Sequence, residues 1–229
     1  GIAYRNGGRW LMDGKVKVNG QGFIDALNLY KDLVPYAPSG YIETNFRNAA
    51  EQFFQGKTAM AITESFAAIL KAQFDVASDF EYNLSSFPNR QNKSGQFERA
   101  NFLMTPTYAL MVTRQVRNKK AVMKFLDFWS TYDAQKGWSG SVITGRIPTL
   151  KKNLESETFA KIYPDLAREY RSGTLFKGAL PQEGFIGLTE CTKALSEGMQ
   201  EALLDLASVE EALNNTQKTC QKVIDRAKN

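Results

Sequence analysis

One stretch of the sequence, residues 46–66, constrains the fold most because it passes from a helical to a strand-like pattern and back within a few residues. Its sequence is FRNAAEQFFQGKTAMAITESF. The apolar residues of its first half recur at three- and four-residue steps, which predicts an amphipathic helix, and Gly56 then predicts the end of that helix. The apolar run 58–62 predicts a strand buried on both faces, and Phe66 opens a second helix. This order predicts an α/β fold with a polar turn at the carboxyl end of a strand, where open α/β sheets bind ligands.

That polar turn, residues 63–66, supplies the first candidates for ligand contact. Backbone N–H groups at the start of a helix, here those of Thr63 and Ser65, can donate hydrogen bonds to a hydroxyl or an anion. Glu64 can accept hydrogen bonds from ligand hydroxyls, and the ring of Phe66 can stack on a flat ligand face from a solvent-accessible cleft. The structural alternative is that Glu64 or Ser65 only caps the helix and that Phe66 belongs to the core.

Charge and residue content count against several classes of function. The chain has 29 Lys and Arg against 24 Asp and Glu, but the basic residues are dispersed, so we expect no nucleic-acid partner. There is no histidine, which removes histidine-based acid–base catalysis and histidine metal ligands. The acidic pairs Glu155/Glu157 and Glu210/Glu211 fall in predicted surface helices. We therefore expect no enzyme activity, no metal site and no cofactor.

Other segments have clear local patterns. Asn118 is predicted to cap a helix that carries Phe125 and Trp129 on its apolar face. The polar residues 89–98 predict a loop. Further helices are predicted at 20–34, 66–74, 155–162, 164–172, 186–205 and 208–227, and strands at 15–18, 80–85, 100–104 and 107–113.

Three motifs in this order carry a family resemblance. They are GKTAMAIT with the flanking phenylalanines, KKAVMKFLDFWSTYDAQKGW followed by GRIPTLKK, and the closing LSEGMQEALLDLASVEEALNN. Together they cover most of residues 20–228. The chain resembles bacterial extracellular solute-binding proteins of the maltose-binding type, which capture ligands for ABC importers.

The resemblance implies an α/β fold of the periplasmic-binding-protein type (type II), mostly its second lobe, with a helix-rich C-terminus. Residues 1–104 would belong to the second lobe, 105–150 would return to the first lobe, and 151–229 would be helices that pack on the second lobe. The family's sequence begins well before the part that resembles this chain. We therefore expect a C-terminal fragment that binds its ligand weakly or not at all when alone.

The function implied by the resemblance is capture of a small extracellular solute, with a sugar or related polyol as the expected class, by closure of two lobes. The permease subunits of an ABC importer would be the protein partners. The location would be periplasmic or lipid-anchored at the cell surface, through an export signal that is not present in these residues. Two alternatives remain: a carbohydrate-active enzyme of the same bilobal build, and a chemosensory ligand-binding module.

Six further candidates for ligand contact come from segments that would line the cleft: Asn101, Phe102, Trp138, Arg146, Glu183 and Phe185. The first two lie near the crossing between lobes, which we place at 99–106. Trp138 and Arg146 would face the cleft from the opposite lobe. The last two lie in the loop 178–187, which resembles a family loop with ligand-facing aromatics. For each, packing within the fold is the structural alternative.

The two cysteines of the chain lie on the last two predicted helices, which we expect to form an antiparallel hairpin turning near Leu206. Cys191 comes 15 residues before this turn and Cys220 comes 14 residues after it, so the two side chains could be neighbours. An exported protein keeps its disulfides, and a Cys191–Cys220 disulfide is therefore one expectation. The alternative is two separate buried thiols that act as small apolar residues.

Overall fold

The computed structural model describes residues 1–62, 82, 90–91, 97–98, 104–105, 110–139, 147–173, 180–181 and 183–228. Within these residues there are ten α-helices: α1 Ile2–Arg5, α2 Gln21–Leu33, α3 Phe46–Phe54, α4 Lys119–Trp129, α5 Tyr132–Ser139, α6 Lys151–Leu154, α7 Glu157–Ile162, α8 Pro164–Arg171, α9 Leu188–Leu203 and α10 Val209–Lys228. None of the described helices is long and apolar enough to cross a membrane.

The strands of the described part are short and form three pairs. They are β1 Leu11–Met12, β2 Lys15–Val16, β3 Arg90–Gln91, β4 Phe97–Glu98, β5 Met104–Thr105 and β6 Leu180–Pro181. β1 pairs with β2 and β3 pairs with β4, both antiparallel, whereas β5 and β6 are parallel.

The chain divides into two compact units. Unit 1 comprises Gly1–Glu43, Pro88–Pro106 and Gly178–Asn229, and unit 2 comprises Thr44–Phe87 and Thr107–Lys177. The assignment of residues 1–104, 105–150 and 151–229 to lobes of the family fold stays a prediction.

Unit 1 begins with the short helix α1, which is followed by a tight hairpin and then by α2. Asp13 and Gly14 connect β1 to β2 with positive φ angles of 52° and 72°, which is the backbone that a two-residue hairpin turn requires. Helix α2 starts after Gly20 and gives way at Val34–Tyr36 to a 3-10 turn that contains Pro35, as the sequence predicts.

The core of unit 1 combines the two ends of the sequence. Residues from the first 27 positions pack against residues of α9 and α10, and the buried members are Tyr4, Trp10, Val16, Val18, Phe23, Leu27, Cys191, Ala202, Val209, Ala212, Leu213, Cys220, Val223 and Ile224. Trp10 sits between two rings of this core, with its centroid 5.9 Å from Phe23 and 6.0 Å from Phe185. The buried apolar area of these side chains is the main stabilising contribution to this unit.

The terminal helices α9 and α10 form the predicted hairpin. The turn uses Asp205 in the left-handed region at φ 57°, and the Leu206 N–H donates to the Glu201 carbonyl at 2.9 Å, which closes the C-terminus of α9. Gly198 allows the helices to approach closely, because a Cβ atom at this position would lie 2.6 Å from Thr216 Oγ1.

Unit 2 begins with α3, which the sequence predicts correctly. Asn45 Oδ1 accepts hydrogen bonds from the N–H groups of Arg47 and Asn48, and Gly56 follows the helix with a φ of 71°. Ala50 and Phe54 are buried on the predicted apolar face, and the Phe54 ring meets Tyr82 edge to face at 5.4 Å.

The other described helices of unit 2 also follow local signals. Asn118 Oδ1 accepts from the Ala121 N–H at 2.9 Å and caps α4 as predicted. Ser156 caps α7 in the same manner, and Pro164 occupies the first turn of α8. The buried cluster of α6, α7 and α8 consists of Leu154, Phe159, Tyr163, Leu166 and Ala167.

Two predicted strands of unit 2 are wrong within the described residues. Residues 58–62 form no strand, and Met60 and Ile62 are 86% and 58% exposed rather than buried on both faces. Residues 110–113, the described end of the predicted strand 107–113, are also irregular, with Met111 89% exposed. An apolar run becomes a strand only when another strand pairs with it, and the described part of unit 2 offers none.

The predicted loop at 89–98 is wrong at its ends. Arg90 pairs with Glu98 and Gln91 with Phe97, so the described ends of this polar stretch form an antiparallel ladder. The predicted strand 100–104 is described only at its end, where β5 pairs with β6.

Candidate ligand-binding site

Seven of the ten candidates for ligand contact lie outside the described residues: Thr63, Glu64, Ser65, Phe66, Asn101, Phe102 and Arg146. Their roles stay predictions. Glu183 and Phe185 belong to unit 1, and Trp138 belongs to unit 2.

Glu183 accepts a hydrogen bond inside unit 1. Its Oε2 atom accepts from the Trp10 backbone N–H at 2.9 Å. Burial and, after it, the neighbouring Glu183 carboxylate raise the pKa of the Tyr4 phenol above its ordinary value. Glu183 is only half-buried and a carboxylate has about four acceptor sites, so it can accept further hydrogen bonds from a polar ligand.

Arg9 completes this polar edge of unit 1. Its Nη1 atom donates to the carbonyls of Gly8 at 2.7 Å and Tyr4 at 3.1 Å, and its guanidinium carbon lies 5.1 Å from the centroid of the Tyr4 ring. The positive charge of Arg9 opposes the effect of Glu183 on the pKa of Tyr4. The guanidinium of Arg9 and the carboxylate of Glu183 thus lie on either side of the Tyr4 phenol, and all three residues belong to unit 1.

Phe185 packs inward. Its side chain is half-buried against the core of unit 1, and its ring is tilted by 59° against that of Trp10. The structure therefore gives Phe185 a clear packing role beside the predicted role in ligand contact.

Trp138 differs from these two residues because it lies at the surface. The side chain is 47% exposed near the end of α5, and its ring meets Trp129 edge to face at 5.4 Å. Trp129 in turn stacks on Phe125 with 6.1 Å between the centroids and 25° between the planes. We call Phe125, Trp129 and Trp138 the aromatic row. Partly exposed aromatic faces held by neighbouring rings can serve as stacking platforms for flat apolar surfaces, including a sugar face.

Two members of this aromatic row were not predicted as site residues. Phe125 and Trp129 are four residues apart on α4, a spacing that places both on one face of a helix, and the sequence analysis assigned that face to packing. Half of the Phe125 surface is exposed in the structure.

Metal binding has no support within the described residues. No three Cys, Asp or Glu side chains among them come together in a group that could hold an ion.

Comparisons with known proteins agree with the motifs and the fold. A family model described as bacterial extracellular solute-binding protein matches residues 2–136. A search of curated protein sequences finds no match. Among solved structures, maltose-bound MalE3 of T. maritima matches with a TM-score of 0.67 and 19% sequence identity, over 96% of this chain and 55% of that chain.

The structural match confirms the predicted fold, which is α/β and of the type II periplasmic-binding-protein kind. The chain spans about half the length of the solved structure that it matches. The family match covers more than half of this chain and confirms the family resemblance. It contains the motif GKTAMAIT and most of KKAVMKFLDFWSTYDAQKGW. The chain therefore belongs to the family of bacterial extracellular solute-binding proteins.

Proposed function

We propose that this protein binds a small extracellular solute, with a carbohydrate as the class of ligand, and delivers it to the permease subunits of an ABC importer. Membership of the solute-binding family is the observation that carries this proposal. The name of the matched structure, a maltose-bound protein, supports a sugar as the ligand class.

The chemistry of the described candidates supports a carbohydrate. Sugars present flat C–H faces and many hydroxyls, so a suitable site combines aromatic rings with charged or polar acceptors. Each kind of group occurs among the described candidates, taken separately: Trp138 has a partly exposed ring, and the Glu183 carboxylate has remaining acceptor sites. The predicted turn 63–66 would add an aromatic ring, a carboxylate and a helix start.

Location follows from the same proposal. A protein that captures solutes for an importer works on the outer side of the cytoplasmic membrane, so we place it in the periplasm or at the cell surface through a lipid anchor. The extracellular family supports this placement.

A ligand screen tests the proposal. The protein as encoded by its gene is heated with mono- and disaccharides, polyols, sugar phosphates and, as controls, amino acids and short peptides. A ligand at one hundred times its Kd stabilises the native state by about 2.7 kcal/mol, which is several degrees in Tm for a chain of this size. We expect a carbohydrate to raise the Tm. A rise with amino acids or peptides alone would exclude carbohydrate as the ligand class.

Two further measurements separate the alternatives. The stabilising sugar is recovered from the complex and analysed by mass spectrometry, and we expect it unchanged, whereas a cleaved sugar would favour the enzyme. Uptake of the labelled sugar is then measured in a strain without the gene. Lost uptake supports the importer subunit, and normal uptake with lost chemotaxis would favour the chemosensory module.

A further inference from the structure

The two cysteines of unit 1 meet in the middle of its core. Cys191 lies in the first turn of α9 and Cys220 in the second half of α10, and both side chains have no exposed surface. The two thiols lie 2.8 Å apart. Both are free in the structure.

The fold fixes this proximity through contacts along the whole hairpin. The Asp205 turn sets the register of α9 against α10, and the hydroxyl of Thr216 donates to the carbonyl of Ala194 on the facing helix at 3.3 Å. At the far end, Arg226 on α10 pairs with Glu190 on α9 at 2.8 Å, immediately beside Cys191. Contacts before and after the cysteines thus hold the two helices in one register.

We infer that Cys191 and Cys220 form an intrachain disulfide in the exported protein. The inference rests on the proposed extracytoplasmic location, where disulfides persist. The reaction joins the two sulfurs and releases two protons and two electrons. The electrons reduce the disulfide of a thiol–disulfide oxidoreductase to its dithiol form, through a mixed disulfide with one of the two cysteines.

Burial determines when this bond can form. Removal from water raises the pKa of both thiols, because burial disfavours the thiolate. The thiolate is the species that attacks a disulfide, and the pair is closed to a protein oxidant once α9 and α10 have packed. Oxidation therefore precedes the final packing of the hairpin, and the finished bond is protected from reductants for the same reason.

The bond would tether the part of unit 1 on which its core depends. α9 and α10, with the turn between them, contribute more than half of the buried residues of this core, and the others come from the first 27 positions of the sequence. A disulfide that closes a loop of about 30 residues limits the freedom of the unfolded chain, so it stabilises the folded hairpin.

Alkylation of the exported protein tests the inference. The protein is collected from the extracytoplasmic fraction, denatured without reductant, treated with iodoacetamide and analysed by mass spectrometry. We expect no alkylation of Cys191 or Cys220 before reduction and alkylation of both after it. The Cys191→Ala variant provides the control, because its remaining Cys220 must be alkylated without reduction. Alkylation of both cysteines in the unreduced wild type would overturn the inference.

A second arm separates this inference from the proposed location. The purified protein is refolded from its reduced form in a glutathione redox buffer, where export plays no part. We expect the disulfide to form. Protein refolded and kept in a reducing buffer, with both thiols free, should have a Tm about 10 °C lower than the oxidised protein, whereas the Cys191→Ala/Cys220→Ala variant should have the same Tm in both buffers. If the two thiols stay free in this buffer, the result would contradict the proximity of Cys191 and Cys220 as a basis for the disulfide, wherever the protein is located. Cell fractionation tests the location independently.

Discussion

The two compact units differ in how they use their aromatic and apolar side chains. In unit 1, α10 turns its apolar face into the core, where Val18 and Leu213 are 0% and 1% exposed, and the candidate residues Glu183 and Phe185 contact Trp10. In unit 2, α4 presents much of its apolar surface to solvent, and Trp138 is nearly half exposed.

This difference shows that an amphipathic pattern predicts which face of a helix is apolar, but not whether other residues bury that face. The apolar residues of α4 recur at helical spacing as clearly as those of α10, and sequence alone would bury both. In the structure, Phe125 of the predicted apolar face of α4 is 50% exposed and Trp129 of that face is only half-buried, whereas Val223 and Ile224 of α10 are buried. Exposed apolar surface of this kind is common where proteins bind a ligand or a partner.

The core of unit 1 should give the largest effect on stability. Leu213→Ala removes a fully buried side chain of α10, and we expect the free energy of unfolding to fall by about 2–5 kcal/mol. Leu206→Ala is the matched control, because Leu206 is 74% exposed in the turn before α10 and should change stability by less than about 0.5 kcal/mol. Urea denaturation followed by circular dichroism measures both. Similar losses in the two variants would contradict the buried position of Leu213.

Removing the candidate aromatic ring of unit 1 should lower stability, whereas removing that of unit 2 should weaken ligand binding. Phe185→Ala removes a half-buried ring from the core of unit 1, so we expect a loss of about 1–3 kcal/mol in unfolding free energy. Trp138→Ala should leave stability nearly unchanged and weaken sugar binding by about 1–3 kcal/mol, as for a lost stacking platform.

The control for Trp138 is Phe128→Ala, which removes another exposed aromatic of unit 2 outside the candidate set. We expect it to leave binding unchanged. Titration calorimetry with the sugar found in the screen measures affinity, and equal losses in the two variants would reject a specific role for Trp138.

The same glycine substitution should have opposite effects in the two units. A Cβ at Gly198 would lie 2.6 Å from Thr216 Oγ1 and 3.1 Å from the Ala212 carbonyl, so Gly198→Ala forces α9 and α10 apart and should destabilise by about 1–3 kcal/mol. A Cβ at Gly137 in α5 meets nothing within 4 Å, and Gly137→Ala should stabilise by about 0.5–1 kcal/mol. The Tm values of the two variants, measured by thermal unfolding, test this prediction. A higher Tm for Gly198→Ala than for the wild type would show that α9 and α10 lie further apart at this position than in the structure.

When Cys191 and Cys220 are reduced, their burial should make the protein less stable at alkaline pH. Their pKa values are raised above the ordinary 9.0 in the folded protein, so stability is fully present below pH 9 and is lost as the pH rises from there. We expect reduced wild type to lose more stability between pH 8 and pH 10 than the Cys191→Ala/Cys220→Ala variant, as measured by urea denaturation. Parallel pH profiles would mean that the thiols are not buried in solution.

The sequence predicts seven of the ten described helices, α2 to α4 and α7 to α10, because their signals are local, whereas the short helices α1, α5 and α6 were not predicted. The caps Asn45 and Asn118 lie within three residues of the groups that they bind, and the position of the Asp205 turn is sufficient to place Cys191 beside Cys220. The strands at 58–62 and 110–113 fail because strand pairing depends on residues far away in the chain.

The contact between Glu183 and Trp10 illustrates the same limit for the candidate site. These residues are 173 positions apart, and neither pattern nor spacing points to their hydrogen bond. The resemblance to the family identifies the loop 178–187, but only the structure shows that Phe185 also packs against a core built from the other end of the chain.

Calorimetric titration of the protein encoded by the gene with maltose, and with the sugar that the screen selects, tests the central claim most directly. We expect saturable binding at one site, with a negative heat-capacity change from the apolar surface that the sugar covers, and recovery of the sugar unchanged. Saturable binding of a non-carbohydrate solute, together with no heat from any sugar, would contradict the account.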